Sequence, residues 1–418
     1  MTDARKRLYY GWIVLAAVVF VMLGGSGIRA VFGVFIKPIE AEFGWTRAQL
    51  SGAAALSLFV LGAVSPMVGW LADVWGPRRV MLLATTVLGV GTVLASFVGH
   101  LWQMYVSAGV LMAAGAGGLG IATTATVAAR WFVARRGLIL GILGGAMSAG
   151  QMLVVPLSML LITLYGWRAS FLWLGVGILA LALPVILTFV RDDPADKGLK
   201  PYGAGTASGA AFGAVADERR VPVSEAMQVP AFWLLASTFF VCGYTSNGLV
   251  LTHLVPHAAE HGFSEMQAAQ ALGLMGAMNI VGTVLSGWIC DRFGRKGPLI
   301  FLLYVWNVPS LHIFAAIFGL NYISTVPPTT TLTANIFGRL SVGTLSGWIF
   351  FSHQVGSALG AWAGGAIFDA TGSYSWAFLS AAVLAFLASG LSLLIKEVPI
   401  SRQPTRRPTP AGAPVAAG

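Results

Sequence analysis

The sequence predicts an all-α membrane protein with about twelve transmembrane helices in two pseudo-symmetric six-helix bundles. Three observations carry that expectation. The chain has 418 residues, 57% hydrophobic and only 10% charged, with a mean hydropathy of +0.80; soluble domains carry about a quarter charged residues. Apolar runs of about 20 residues recur, each long enough to cross a bilayer about 30 Å thick. One short loop also occurs twice at a fixed offset, which marks a duplicated unit.

The first copy of that loop is Gly69-Trp-Leu-Ala-Asp73-Val-Trp-Gly76-Pro-Arg78-Arg79, and the second is Gly287-Trp-Ile-Cys-Asp291-Arg292-Phe-Gly294-Arg295-Lys296. Each sits between apolar runs and reads as a tight turn. Its glycines permit a sharp reversal, and its Asp can face the cationic residues across the turn. These loop residues are expected to govern conformational switching rather than binding. The offset of 218 holds far upstream: Gly25 falls on Gly243, Pro38 on Pro256, Glu42 on Glu260, Gly44 on Gly262 and Gln49 on Gln267.

In chain order, helices are expected near 11–37, 47–72, 79–98, 102–128, 138–163 and 169–190, then near 230–257, 265–290, 297–310, 313–337, 341–368 and 375–395. The expected domains are an N-terminal six-helix bundle at 1–190, a polar linker at 191–228, a C-terminal six-helix bundle at 229–396 and a disordered Pro-rich tail at 397–418. From the loop motif to Trp131-Phe132, the first half is about a dozen residues longer than the matching stretch ending at Ile336-Phe337. Helices 9 and 10 must therefore share about 40 residues at 1.5 Å each, so helix 9 is short, broken at Pro309 or incomplete. Glycine runs such as Gly115-Ala-Gly117-Gly118 and Gly141-Ile-Leu-Gly144-Gly145 read as packing devices. No strand or Lys-Ser/Thr follows them, as a phosphate loop would need.

The net charge of +10 follows topology rather than a nucleic-acid partner. With the N-terminus inside, nearly every Lys and Arg falls in a cytoplasmic segment, and only Arg29, Lys37, Arg47 and Arg168 fall elsewhere. This predicts a cytoplasmic (inner) membrane protein with both termini in the cytoplasm. The apolar run from Trp12 continues straight into helix 1 and reads as uncleaved. Cys242 and Cys290 fall at different depths, so no disulfide is expected. No metal-ligand spacing and no cofactor motif is present. A monomer in the lipid bilayer is expected.

The loop, G-x-x-x-D-R-x-G-R-R, resembles the signature of the major facilitator superfamily, with Val74 and Pro77 departing from it in the first copy. Arg130-Trp131-Phe132 running through Arg135-Arg136-Gly137 to Gly141 and Ala149-Gly150 resembles the entry to helix 5 of monocarboxylate porters. Tyr10-Gly11-Trp12, Phe35-Ile-Lys37-Pro-Ile-Glu40 and Ile367-Phe-Asp369-Ala-Thr-Gly372-Ser-Tyr374 fit the same group and its oxalate/formate antiporter relatives. The resemblance implies a twelve-helix transporter working by alternating access, with helices 1 and 7 at its centre. The group's helix 8 cation is absent: the chain reads Met278-Asn279-Ile-Val-Gly-Thr283 there, and helix 11 offers His353 in place of a Lys.

The candidate substrate-binding residues are Arg29, Asn247, Asn279, Tyr322, His353 and Gln151. Arg29 lies inside helix 1, where an Arg costs at least about 2.5 kcal/mol and so faces a cavity or a partner; a snorkelling residue near the rim is the alternative. Asn247 is its symmetry mate in helix 7. Polar residues such as Asn279, Tyr322 and Gln151 serve equally well as bonds between helices. His353 is the candidate proton carrier, against the alternative of a neutral structural histidine. No acidic residue is expected at mid-membrane, which favours an anion over a cation.

The functional expectation is a secondary active transporter of a small organic anion, a monocarboxylate such as lactate, coupled to protons as a symporter. An exporter or facilitator of a neutral or amphipathic small molecule is the alternative. An enzyme is not expected, because no nucleophile–base or metal arrangement is present. A membrane sensor would need a folded signalling domain that the linker and tail are too small to supply.

Overall fold

The computed structural model describes residues 9–204, 219–293 and 308–400. The first half contains α1 (Tyr10–Phe43, interrupted by a turn at Val31), α2 (Arg47–Trp75), α3 (Pro77–Ala95) and α4 (Leu101–Trp131). A continuous run from Arg136 to Phe189 is split at Gly166, where φ is 80°, into α5 (136–165) and α6 (167–189). The second half contains α7 (Pro230–Leu254, prolonged to Glu260), α8 (Glu265–Phe293), α9 (Val308–Tyr322), α10 (Val326–Phe337), α11 (Val342–Thr371) and α12 (Ser375–Leu393). Among the described residues, eight helices are long and apolar enough to cross a membrane.

The repeated residues do the same structural work in each half. Gly44 and Gly262 both take a left-handed backbone, at φ 66° and 80°, which glycine adopts without a Cβ clash. Gln49 and Gln267 both close capping boxes. Thr46 exchanges bonds of 3.0 and 3.3 Å with Gln49, and Ser264 exchanges bonds of 2.9 and 3.3 Å with Gln267. Each box satisfies two amides that a helix start leaves free.

The expected helices at 297–310 and 313–337 need correcting. Val308 already lies in a helix that runs to Tyr322, and the chain resumes its helix at Val326. Pro327 and Pro328 suit this restart, because the first turn needs no amide donor. α4 has the same shape, breaking at Leu119–Gly120 before Ile121–Trp131. Together, α9 and α10 are therefore the counterpart of α4 alone. Residues 294–307, most of the expected ninth helix, lie outside the described residues.

Within the first bundle α1 packs along α5, and within the second α7 packs along α11. The bundles meet where α2 lies on α11 and α5 on α8. Both segments of the linker that are described dock on the same end. Tyr202 pairs with the chain after α4 through bonds to Trp131, Val133 and Ala134 of 2.8 to 3.1 Å. Val221 donates to Ser341 Oγ at 2.7 Å. This end is called the linker side below. Ile400, expected in a disordered tail, is buried there with Val221, Ala226 and Phe232; residues 401–418 lie outside the described residues.

Candidate transport site and its gate

The two loop motifs lie at the linker side, and each reaches across to the other bundle. Asp73 accepts bonds from the Gly343 amide at 3.0 Å, and from the amide and the hydroxyl of Thr344 at 2.7 Å each. Asp291 accepts from the amides of Gly137 at 2.9 Å and Leu138 at 2.8 Å. Each carboxylate therefore caps the start of a helix in the opposite bundle, where free amides and the helix dipole favour negative charge.

This corrects the expectation that Asp73 faces the cations of its own turn. Arg78 instead donates through Nη2 to the Leu187 carbonyl at 2.7 Å, and through its amide to Asp192 at 2.8 Å. Arg79 is exposed. A helix start presents converging donors at no entropic cost, whereas a surface guanidinium must give up solvent and rotamers. Arg130 supports the cap from behind, donating to the carbonyls of Ala72 and Asp73 at 3.2 and 2.9 Å. In the second copy, Arg292 lies in the last turn of α8, and Gly294, Arg295 and Lys296 lie outside the described residues.

Glycines let the two backbones come this close. A methyl group on Gly69 would lie 2.1 Å from the Gly343 carbonyl oxygen, and one on Gly287 would lie 2.1 Å from that of Gly137. One turn further, a methyl on Gly347 would meet the Ser65 carbonyl at 2.4 Å, and one on Gly141 would meet that of Thr283 at 2.5 Å. Both crossings thus use a small-x-x-x-small pair, Gly137/Gly141 and Gly343/Gly347, as tightly packed membrane helices do. Reading the sequence for loop residues alone passed over Gly137, Gly343 and Thr344. Their signal is the same glycine pair recurring 206 residues apart.

Deeper in, Arg136 donates to Asn335 at 3.1 Å and Asn279 donates to Ser148 at 2.5 Å, again between the bundles. Asn279 also accepts from the Ile323 amide at 3.0 Å and the Thr283 hydroxyl at 3.2 Å. Both polar atoms of this candidate binding residue are engaged in helix contacts, and it forms a floor between α5, α8 and the turn before α10. The described hydrogen bonds between the bundles extend from the loops to this floor. The linker side of the molecule is closed.

Immediately above the floor, the structure brings three candidates together. Tyr322, next to Ile323, donates its hydroxyl to Asn247 Oδ1, and Arg29 interacts electrostatically with Tyr322. Both halves are irregular at this level. α1 is interrupted at Val31, and α7 widens into a π-helix over Tyr244–Val250, a distortion frequent at functional sites. Arg29 is positioned by the crossing of α1 on α5. Ser26 donates to the Met147 carbonyl at 2.9 Å, and a methyl on Gly150 would lie 2.2 Å from the Leu23 carbonyl. Among the described residues Arg29 has no hydrogen bond and no ion-pair partner. Gln151, beside Gly150 on α5, also has no side-chain hydrogen bond and is partly exposed.

His353 is placed differently. It is buried between the rings of Phe239, at 4.8 Å, and Phe350, at 5.6 Å, and its Nδ1 lies 3.1 Å from Gln354 Oε1. Its polar contact is thus its chain neighbour rather than Arg29 or Tyr322.

Two of the remaining sequence markers meet on the linker side, while those at 35–40 and 367–374 end α1 and α11 on the opposite side. Tyr10-Gly11-Trp12 and Trp131-Phe132 form one aromatic cluster with Tyr9 and Tyr202. Its ring centroids are 5.3 to 6.2 Å apart. Tyr9 also donates to Lys200 at 3.0 Å, and burial pushes its hydroxyl up to about 12.

The family model of the Major Facilitator Superfamily matches residues 14–306. The chain belongs to that superfamily. Its all-helical, two-bundle arrangement is consistent with the twelve-helix fold of that superfamily, and its relatives are transporters rather than enzymes. It is 27% identical over 413 residues to the uncharacterized MFS-type transporter YcxA of Bacillus subtilis, covering 93% of this chain and 95% of that one. It is 25% identical over 435 residues to monocarboxylate transporter 12-B of Danio rerio, covering 94% and 88%. Among solved structures, the proton:xylose symporter XylE bound to 6-bromo-6-deoxy-D-glucose aligns with a TM-score of 0.73 at 15% identity, over 94% of this chain and 97% of that one. The E. coli fucose:proton symporter FucP aligns with a TM-score of 0.66 at 16% identity, over 92% and 99%.

Proposed function

We propose that this superfamily member carries a small monocarboxylate across the cytoplasmic membrane by alternating access, with Arg29 as the anchor for the substrate's carboxylate. The observation that carries this reading is a guanidinium inside the membrane, with no acidic partner among the described residues, beside the Tyr322–Asn247 pair. A guanidinium offers a fork of donors that matches a carboxylate. Left alone at this depth it is costly, so an anionic substrate supplies the missing charge. Tyr322, Asn247 and Gln151 then contact the rest of a small molecule. Similarity to a monocarboxylate transporter supports this substrate class.

The linker side is the cytoplasmic side in this reading, by the placement of Lys and Arg, and both termini lie there. The closed linker side then makes this conformation one that loads from outside. Arg29 stays protonated and cannot release a proton, and among the described residues Asp and Glu occur only at or near helix ends. The proton therefore travels on His353, or joins the substrate's carboxylate after it has paired with Arg29, which weakens that pairing and favours release. The aromatic setting of His353 favours the substrate. Uptake of labelled lactate, pyruvate and longer monocarboxylates into proteoliposomes, with and without an inward proton gradient, tests the proposal. Gradient-driven uptake of at least one of them supports it. Uptake of neutral compounds only, indifferent to the gradient, overturns it.

A further inference from the structure

The second bundle holds a cavity of about 140 Å³ between α7, α9 and α12. Val250, Leu254, Leu311, Phe314, Phe318 and Phe378 are among the residues of its wall, with the rings of Phe314 and Phe318 stacked 5.4 Å apart. Thr245, His257 and His261 supply the polar groups of this otherwise apolar lining. Nδ1 of His257 is buried and has no hydrogen-bond partner among the described residues. Its ring lies 4.3 Å from that of His261 and 4.6 Å from that of Phe378. His261 directs its own Nδ1 to the His257 carbonyl at 2.9 Å, and so leaves the neighbouring imidazole unsatisfied.

Size and chemistry together define what fits. An apolar cavity of about 150 Å³ accommodates one benzene ring. Near neutral pH an unperturbed imidazole is largely uncharged and offers one nitrogen as an acceptor. We propose that this cavity binds a small monocyclic aromatic molecule with one hydroxyl, the phenol class. Its ring lies among Phe314, Phe318 and Phe378, and its hydroxyl donates to Nδ1 of His257. The cavity is separate from the carboxylate site. α7 presents Asn247 to Tyr322, but Thr245 and Val250 to this cavity. The Phe318 and Tyr322 rings, 6.0 Å apart, stand between the two.

Fluorine NMR of 4-fluorophenol and of fluorobenzene, titrated with the purified full chain in detergent at pH 8, tests the assignment. Saturable binding of 4-fluorophenol is expected. His257→Phe should weaken it by about fivefold or more, as for the loss of one hydrogen bond, while leaving fluorobenzene within about twofold. Ala382→Trp, which fills the cavity, should abolish binding of both; Ala382→Met serves the same purpose if the larger residue prevents folding. Absence of saturable binding to the unsubstituted chain overturns the proposal. Equal binding after the cavity is filled, or equal weakening of both probes by His257→Phe, does so as well.

Discussion

Asp73, in the last turn of α2, accepts hydrogen bonds from both the amide and the hydroxyl of Thr344 at 2.7 Å each, across the junction between the bundles. Asp291 makes the corresponding cap on Gly137 and Leu138. Both caps exist only while the linker side is closed, so they stabilise one end of the transport cycle without touching Arg29.

Asp73→Asn keeps the shape but turns an amide NH2 toward donors. Leaving buried donors unsatisfied costs about 1–3 kcal/mol. The closed population should fall by roughly tenfold or more, read as faster thiol labelling of a cysteine placed at Ser346, buried on the same helix and with no hydrogen-bond partner for its hydroxyl among the described residues, in an otherwise cysteine-free chain. Uptake should slow, while equilibrium substrate affinity stays within a few fold. A large affinity loss at normal turnover would contradict the gating role.

Gly69→Ala and Gly287→Ala should behave alike, because each places a methyl 2.1 Å from a backbone oxygen of the other bundle. Neither backbone can yield without separating the bundles, so both variants should favour the linker-side-open state. Gly33→Ala and Gly177→Ala are the controls, since no atom lies within 4 Å of either added methyl. Interbundle distances from spin labels would distinguish the pairs; closed, wild-type-like distances in Gly69→Ala would refute the crossing.

Arg29→Gln should abolish monocarboxylate uptake, because an anion in this low-dielectric site would lack its counter-charge. Arg29→Lys should retain binding at reduced affinity, as a point charge replaces a bidentate fork. Lactate binding by calorimetry, together with proteoliposome uptake, separates the two. Unchanged uptake in Arg29→Gln would end the anion reading.

For His353, the aromatic sandwich and the bond to Gln354 argue for a structural side chain. His353→Ala should lower the unfolding temperature, since it opens a cavity next to Phe239 and Phe350. Uptake should keep its dependence on the proton gradient. Loss of that dependence, with substrate binding intact, would make His353 the proton carrier instead.

Asp192, beyond the end of α6, gives a pH prediction. Burial raises its carboxyl above the usual range, outweighing the Arg78 amide bond and the nearby Arg130 and Arg78 charges. The folded chain thus takes up this proton more readily than the unfolded chain. The group's contribution to stability is greatest at low pH and falls as pH rises through the folded-state value. Asp192→Asn retains an acceptor for Arg78 and removes the desolvated charge. Its unfolding temperature at pH 8 should match or exceed that of the wild type, and a marked drop would show that the ionised form is required.

Much of the fold was legible because its causes are local or periodic. Apolar runs set the helices through the absence of water to satisfy backbone groups. The duplicated Gly44/Gly262 and Gln49/Gln267 marked the repeat, and the structure gives the reason they recur, since a left-handed cap and a capping box each require a particular residue type. The sequence by itself thus determined a two-fold repeated membrane bundle and singled out Arg29, Asn247 and Tyr322. What only the tertiary structure decided is partnership. Nothing near Asp73 in the chain points to Thr344, 271 residues away, because a carboxylate accepts from any converging donors. Likewise nothing around Asn279 shows that Ser148 and the Ile323 amide take up its bonding groups, or that His353 sits between two rings. A polar side chain inside a membrane must find a partner, but the sequence leaves open whether that partner is another helix or a substrate. Only the packing of the helices decides it.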